Sequence, residues 1–374
     1  MSYALTTLWH DRQRYLPGVL AVAFSALLIS LQCGLLLGLF LVTSVPIDHG
    51  SADIWIGAAE VLSVDLGRSV PAEYGVRLAS QPGVRAPEPF LQGFAVWKKP
   101  MGGSDLCVVI GSRLGDDSLG VIEELKAKPE LRAQLTEPGA IVVDESEFDR
   151  LGLSGVGDSH GEINGQRVRL VGTVKGLKGV SGAYIFCSLR TARLLLRLSE
   201  QQSVYFVARC ENPQDAPAVV QRLRHYPNMS AFTSLEFSRR SRLHWLTKTK
   251  AGIALGFAAL LGLLVGGVVT SQTLFAATVA SLREYAVLRA LGIPRFRIAL
   301  MVLAQSFWVG LTGILIALPA SFLFAELANW LGAKVILPFW LLSASAMVTM
   351  VMALGSGLAA LRSLRLIEPA LLLR

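Results

Sequence analysis

Four long apolar stretches without charge dominate the sequence, and each can cross a bilayer. They are residues 17–43, 251–282, 298–325 and 335–361, and none contains Asp, Glu, Lys or Arg. About 20 apolar residues are enough to span the hydrocarbon core. With 52% hydrophobic and only 17% charged residues, the chain lacks the charge typical of soluble enzymes or disordered proteins. We therefore predict four transmembrane helices, the first of which is a retained anchor because it exceeds the apolar core of a signal peptide.

Basic residues predict the orientation of these helices. The segments 1–16, 283–297 and 362–374 are rich in arginine, and Lys/Arg-rich short segments remain in the cytoplasm. Residues 44–250 and the short loop 326–334 then lie on the outer side. The net charge of +8 therefore reflects membrane topology. We expect no nucleic-acid partner, because a nucleic-acid footprint would cluster on one folded face.

The membrane stretches contain no acidic or basic side chain, which argues against ion-coupled transport through them. They do contain glycines at a spacing of four residues, namely Gly34 with Gly38 and Gly262 with Gly266. This spacing lets helix backbones approach closely. We therefore expect the first and second helices to pack together, within one subunit or between two.

The second stretch is longer than a membrane requires. Its 32 residues would reach about 48 Å as a helix, whereas the hydrocarbon core is about 30 Å thick. The helix can either tilt or continue beyond the membrane. Residues 243–246 precede it without a turn signal, which favours continuation.

The outer segment, residues 44–250, has the pattern of an α+β domain. Residues 52–56 alternate like a strand, and residues 71–81 and 217–225 resemble short helices. Residues 137–187 are rich in glycine and in short strand-like runs. We predict two halves that contain strands and helices and that enclose this β-rich insertion.

Nothing in the outer domain has the spacing of a catalytic, cofactor or metal site. The glycine-rich residues 155–161 lack the Lys-Ser/Thr of a phosphate-binding loop, so a turn before a hairpin is the better interpretation. Acidic residues cluster between 144 and 149, but their spacing fits no EF-hand. We interpret them as the solvated start of a helix; the cluster consists of Asp144, Glu145, Glu147 and Asp149.

The cysteines leave two possibilities open. Cys107, Cys187 and Cys210 belong to the outer domain, and Cys33 lies in the first membrane stretch. One pair of the outer three could form a disulfide, but the sequence does not indicate which. All three could equally be buried free thiols, because cysteine behaves as a small apolar residue.

The cytoplasmic segment R-E-Y-A-V-L-R-A-L-G-I-P, residues 283–294, is the most informative motif. It predicts a short helix that ends at Gly292, with Pro294 opening the next helix. Tyr285, Leu288 and Leu291 form an apolar stripe on this helix. The segment is therefore either a charged topology loop or a docking surface.

This motif resembles the signature of the FtsX/MacB-type permeases, also called type VII ABC transporters. The layout of one span, a large outer domain and three further spans is similar to that of the family. The basic tail with its Glu-Pro step resembles the family's ending at Arg362, Arg365, Glu368 and Pro369. Leu31-Gln32, residues 50–57 and residues 61–65 are most similar to DevC-like exporter permeases.

The resemblance implies a fold, a set of contacts and a set of partners. The outer domain would be periplasmic, with porter-like halves and a Sabre-like insertion at 137–187. Residues 283–292 would form the coupling helix that contacts a cytoplasmic ATPase dimer. Its contact residues would be Arg283, Glu284, Tyr285, Ala286, Leu288, Arg289, Ala290, Leu291 and Gly292.

The function implied is ATP-driven export by mechanotransmission from the bacterial inner membrane. The partners would be a second copy of the chain, membrane lipids, a periplasmic adaptor and a TolC-like outer-membrane channel. ATP and Mg²⁺ would bind the ATPase and not this chain, since about 16 residues precede the first span and leave no room for a fused ATPase. The cargo could be a glycolipid, another amphiphile, a peptide or a drug. The alternatives are an FtsX-like signalling subunit that controls a hydrolase and a lipoprotein-releasing permease.

Overall fold

The computed structural model describes residues 12–156, 160–179, 182–280, 287–288, 291–331 and 333–365. The helices in chain order are α1 (Arg12–Thr43), α2 (Val45–Asp48), α3 (Glu73–Ala79), α4 (Glu123–Lys126), α5 (Pro129–Leu135), α6 (Phe148–Leu151), α7 (Leu189–Leu196), α8 (Ala216–Leu223), α9 (Ser234–Lys248), α10 (Lys250–Ala280), α11 (Arg295–Trp330) and α12 (Phe339–Arg365). The strands are β1 (Ile54–Ala58), β2 (Val70–Pro71), β3 (Val84–Lys98), β4 (Ser104–Ser112), β5 (Ala140–Asp144), β6 (His160–Ile163), β7 (Gln166–Val174), β8 (Ala183–Ser188), β9 (Gln202–Ser203), β10 (Tyr205–Cys210) and β11 (Met229–Thr233). The chain divides into a membrane unit, residues 1–38 with 250–374, and an outer unit, residues 39–249.

The membrane unit confirms the predicted spans. Among the described residues, α1, α10, α11 and α12 are the helices long and apolar enough to cross a membrane. The loop between α11 and α12 differs from the predicted 326–334, because α11 continues to Trp330 and α12 begins at Phe339. The amide of Asn329 bonds both the N–H and the carbonyl of Val335, and residues 333–338 form neither helix nor strand. Pro338 then opens α12 by accepting the first helical bonds.

A second helix, α9, precedes the helix of the second span, α10, but the two do not form one continuous helix. Helix α9 ends at Lys248, and α10 begins at Lys250. Thr249 between them has φ −97° and ψ 144°, which is extended backbone. The expected continuation is therefore present as a separate helix, and one extended residue interrupts it. No proline or glycine marks this break in the sequence.

The outer unit contains an open sheet and a closed barrel that share one strand. The open sheet has the antiparallel order β11-β1-β10-β3. The barrel order is β3-β4-β8-β5-β7-β6, and it closes where Trp97 pairs with Ile163. The first half of β3 pairs with β10, and its second half, from Leu91, pairs with β4. The β-rich part therefore begins near residue 91, well before the predicted 137–187.

An aromatic cluster holds the open sheet to α9. Trp55 of β1 and Tyr205 of β10 meet at a centroid distance of 5.7 Å, and Phe237 of α9 lies 5.6 Å from Tyr205. Phe237 also stacks on Phe232 at 4.9 Å. Such pairs add stabilisation beyond the apolar area they bury. On the other face of the sheet, α3 and α8 cover a second apolar cluster.

The acidic cluster at 144–149 is partly internal, which corrects the expectation of a solvated helix start. Asp144 is buried and accepts a hydrogen bond from the backbone N–H of Leu177 at 2.6 Å. Glu147 is also buried, and this burial raises the pKa of its carboxyl. Arg150 lies 3.6 Å from Glu147 and partly offsets the burial. These carboxylates hold the loop in place; no metal-binding group occurs among the described residues.

Candidate functional site

The described part of the cytoplasmic segment has the helix end that its sequence predicts. Gly292 has φ +85°, in the left-handed region that favours glycine. The backbone N–H of Ile293 donates to the carbonyl of Leu288 at 3.2 Å, the bond of a Schellman helix end. Pro294 then precedes α11. A sharp turn thus separates the segment from the next membrane helix.

The apolar stripe of the segment divides into an inner and an outer part. Leu288 is half-buried and packs with Ile293 against Ile298 and Val302 of α11. Leu291 is 75% exposed. Leu288 therefore packs the segment against α11, and its predicted contact with an ATPase stays a prediction. Leu291 remains available for a partner.

The other predicted contact residues lie outside the described part of the chain. They are Arg283, Glu284, Tyr285, Ala286, Arg289 and Ala290. In the tail, Arg362 and Arg365 lie in the last turn of α12. Glu368 and Pro369 lie outside the described residues.

Gly262 and Gly266 of α10 face α1, as expected from their spacing. A Cβ at Gly262 would overlap the side chain of Gln32, and a Cβ at Gly266 would come within 3.1 Å of Ser25. Ser25 Oγ lies 2.9 Å from the carbonyl oxygen of Gly266 and 2.9 Å from Thr270 Oγ1. Small residues and hydroxyl groups thus replace large apolar contacts at this helix pair.

Gly34 and Gly38 serve a different neighbour from the one predicted. They contact residues 334–337, which precede α12, and the backbone N–H of Ile336 donates to the carbonyl of Gly34 at 3.2 Å. A Cβ at Gly38 would overlap the backbone carbonyl of Lys334. Non-helical backbone next to lipid needs protein partners for its polar groups. The Gly34–Gly38 surface of α1 supplies one of them.

A polar cluster that the sequence does not reveal ties the end of α1 to α9. Arg242 Nε donates to Ser44 Oγ at 2.8 Å, and its Nη2 lies 2.6 Å from Asp48 Oδ2. Ser44 Oγ also donates to Asp48. Arg242 lies 198 positions after Ser44 and 194 positions after Asp48, so only the fold brings them together. They join the chain leaving the first span to the chain entering the second.

The outer cysteines are free thiols in the structure, which decides between the two possibilities. Cys107, Cys187 and Cys210 are all buried and unpaired with one another. Burial raises the pKa of Cys107 to about 12 and also raises that of Cys187 and Cys210. Thiolate is the reactive form, and the raised pKa favours the protonated thiol at all three positions.

Comparison with known proteins finds one family model that is similar to part of the chain. Residues 256–369 match the family model described as FtsX-like permease C-terminal, which covers most of α10, the segment 281–294, and all of α11 and α12. No curated protein matches the chain.

Two solved structures are similar to the outer unit. One is the periplasmic region of MacB from Actinobacillus actinomycetemcomitans, with 12% identity and a TM-score of 0.34, covering 51% of this chain and 92% of that chain. The other is the extracellular domain of the noncanonic ABC-type transporter YknZ from Gram-positive bacteria, with 9% identity and a TM-score of 0.32. It covers 48% of this chain and 98% of that chain.

Proposed function

We propose that this chain, an FtsX/MacB-type permease of the inner membrane with a large periplasmic domain, is the transmembrane subunit of an ATP-driven exporter. The observation that carries the proposal is the capped segment at 287–294, which presents Leu291 beside α11 within the family match. An exposed apolar side chain on a rigid cytoplasmic turn suits a docking contact. The ATP and Mg²⁺ that drive export bind the separate ATPase.

Force from the ATPase enters the membrane unit through this segment. Leu291 contacts the ATPase, and the cluster of Leu288 with Ile298 and Val302 passes the displacement to α11. Packed side chains of this kind transmit movement because they have few alternative arrangements. In this proposal the contact of Leu288 with α11 carries the displacement into the membrane.

In the periplasm, the movement reaches the outer domain through the ends of α1 and α9. The cluster of Ser44, Asp48 and Arg242 joins these ends, so they move as one body. In this proposal two copies of the chain work together, as in DevC-like exporters. The displacement pushes an amphiphilic cargo from the periplasm towards an adaptor and an outer-membrane channel.

The substitution Leu291→Asp tests the docking step. We expect the membrane subunit to assemble normally, because Leu291 is exposed, while binding of the ATPase weakens about 30-fold, the equivalent of roughly 2 kcal/mol. Co-purification of the ATPase and export by the whole complex measure this. Val76→Asp, at an exposed apolar position in the outer domain, is the matched control and should leave both unchanged.

Unchanged export in Leu291→Asp would contradict the docking role. The proteins that co-purify with the intact complex distinguish an exporter from a signalling subunit. A periplasmic adaptor supports export, whereas a cell-wall hydrolase partner supports a signalling subunit of the FtsX type.

A further inference from the structure

Two cationic side chains of the outer domain converge on one serine. Ser51 lies in the turn between α2 and β1, and its hydroxyl oxygen accepts a hydrogen bond from Nζ of Lys126, the last residue of α4. Its carbonyl oxygen accepts a bond from Arg209 Nη2 of β10 at 3.1 Å. The backbone N–H of Ser51 donates to the carbonyl of Leu119 at 2.9 Å, which fixes the serine in place. The fold therefore brings together two positive charges from distant parts of the chain.

Most of the hydrogen-bonding capacity of these two side chains is unused. A lysine ammonium has three N–H donors, and an arginine guanidinium has five. Within the part of the chain that the structure describes, the bond to Ser51 is the single hydrogen bond of each side chain, and neither forms an ion pair. By contrast, Arg85, the cross-strand neighbour of Arg209, pairs with Glu211 at 2.9 Å. Lys126 and Arg209 thus keep donors for a further acceptor.

The surroundings of Lys126 have an excess of positive charge. Burial lowers the pKa of this ammonium, and the charge of Arg209 lowers it further. Arg132 acts in the same direction, whereas the carboxylates of Glu88 and Glu123 raise the pKa and offset only part of the effect. Glu88 is buried and already accepts bonds from two backbone N–H groups at 2.6 Å. Unused donors in a positive environment favour the binding of an anion.

We propose that Ser51, Lys126 and Arg209 form a binding site for an oxyanion of the phosphate class. The planar fork of Arg209 suits two oxygens of one phosphate group, and Lys126 supplies a compact charge for a third. The Ser51 hydroxyl accepts from Lys126 and has its own proton to donate to the anion. A free phosphate ion and the phosphate headgroup of an amphiphile present the same chemistry. The proposal concerns binding and does not depend on export.

Titration with inorganic phosphate tests the site in the full chain, with the broadening of the phosphorus NMR signal as the readout. The protein is kept in dodecyl maltoside at constant ionic strength, because this detergent contains no phosphate. Lys126→Gln and Arg209→Gln each remove one charge, and we expect each to raise the Kd for phosphate about tenfold. Lys175→Gln is the matched control, because this side chain is 79% exposed and pairs with Glu145. It should change the Kd by less than about twofold.

A variant that strengthens binding separates the effect from a loss of folded structure. Glu123 is exposed on α4, and its carboxylate offsets part of the positive charge at Lys126. Glu123→Gln should therefore lower the Kd for phosphate about twofold. A partly unfolded protein cannot reproduce this gain.

Dihexanoyl phosphatidic acid, a soluble amphiphile, distinguishes the two sources of the phosphate group. A Kd more than about tenfold below that of inorganic phosphate, lost in Lys126→Gln and Arg209→Gln, assigns the site to a headgroup with apolar chains. Equal Kd values for the two ligands assign it to free phosphate. Absence of broadening with the unmodified chain would overturn the proposal, and so would equal broadening in the unmodified chain and both Gln variants.

Discussion

Different kinds of packing stabilise the membrane unit and the outer unit. In the described spans, less than half of each span's most apolar window is buried, and the close contacts involve Gly38, Gly266 and Ser25. In the outer unit, large side chains such as Trp55 and Phe237 are fully enclosed. Lipid is as apolar as leucine, so burial of large side chains gives little driving force within a membrane. In water, burial of large apolar side chains is the dominant driving force for folding.

This difference predicts which kind of substitution destabilises each unit. The packing of the membrane helices depends on glycines, because a residue without a side chain lets neighbouring backbones come into contact. The outer domain depends on the presence of large rings that fill its core. Addition of a methyl group should therefore harm the first, and removal of a ring should harm the second.

The largest expected effect is the loss of an aromatic ring from the outer domain. Phe237→Ala removes the ring that stacks on Phe232 and meets Tyr205. We expect a loss of about 3–5 kcal/mol in the free energy of unfolding, since a large cavity remains. Denaturant unfolding of the full chain in detergent, followed by near-ultraviolet circular dichroism, measures it.

Leu235→Ala on the same helix is the control, because this leucine is exposed. It should change stability by no more than about 0.5 kcal/mol. Similar losses for both variants would mean that the aromatic cluster contributes no more than the helix surface does.

An intermediate effect is expected from an added methyl group in the membrane unit. In Gly38→Ala the new Cβ overlaps the carbonyl of Lys334, so the backbone around Lys334 must move away from α1. Overpacking of this kind costs about 1–3 kcal/mol. Thermal unfolding of the chain in nanodiscs measures the change.

Gly355→Ala in α12 is the matched control, because nothing lies within 4 Å of its Cβ position. Alanine is the better helix former, so this variant should be neutral or more stable by up to about 1 kcal/mol. A loss at Gly355 equal to that at Gly38 would contradict the role assigned to close backbone approach.

The smallest effect is expected from the hydroxyl group between α1 and α10. Ser25→Ala removes the contacts with the Gly266 carbonyl and Thr270. Hydrogen bonds between membrane helices contribute about 0.6 kcal/mol on average, so we expect a loss of that size in the same unfolding measurement. Ser343→Ala, whose hydroxyl bonds its own helix at Phe339, should lose less. A loss above about 2 kcal/mol at Ser25 would show that hydroxyls contribute more here than small residues do.

Features governed by local chemistry could be predicted from the sequence. Hydropathy located all four spans, because crossing lipid demands a continuous apolar helix. The order Gly292-Ile293-Pro294 predicted the helix end, because glycine permits the left-handed conformation and proline opens the next helix. Both signals depend only on neighbouring residues.

Features that depend on distant partners could not be predicted. Leu288 looked equivalent to Leu291 along the stripe, but Ile298 and Val302 of the following helix cover part of Leu288 and leave Leu291 exposed. Asp144 looked solvated because its partner Leu177 lies 33 positions away. The cluster of Asp48 and Arg242 spans 194 positions. In each case the deciding contact is tertiary and leaves no local pattern.

Strand β3 has a consequence for how this protein can vary between species. Its 15 residues belong to the barrel and to the open sheet at once. Deleting or inserting one residue within it would turn every later side chain to the opposite face, and Trp97 would leave the interior. The loops around the barrel can change in length, because they do not alter the strand register. The length of β3 is constrained, since its residues must stay in register with the open sheet and with the barrel.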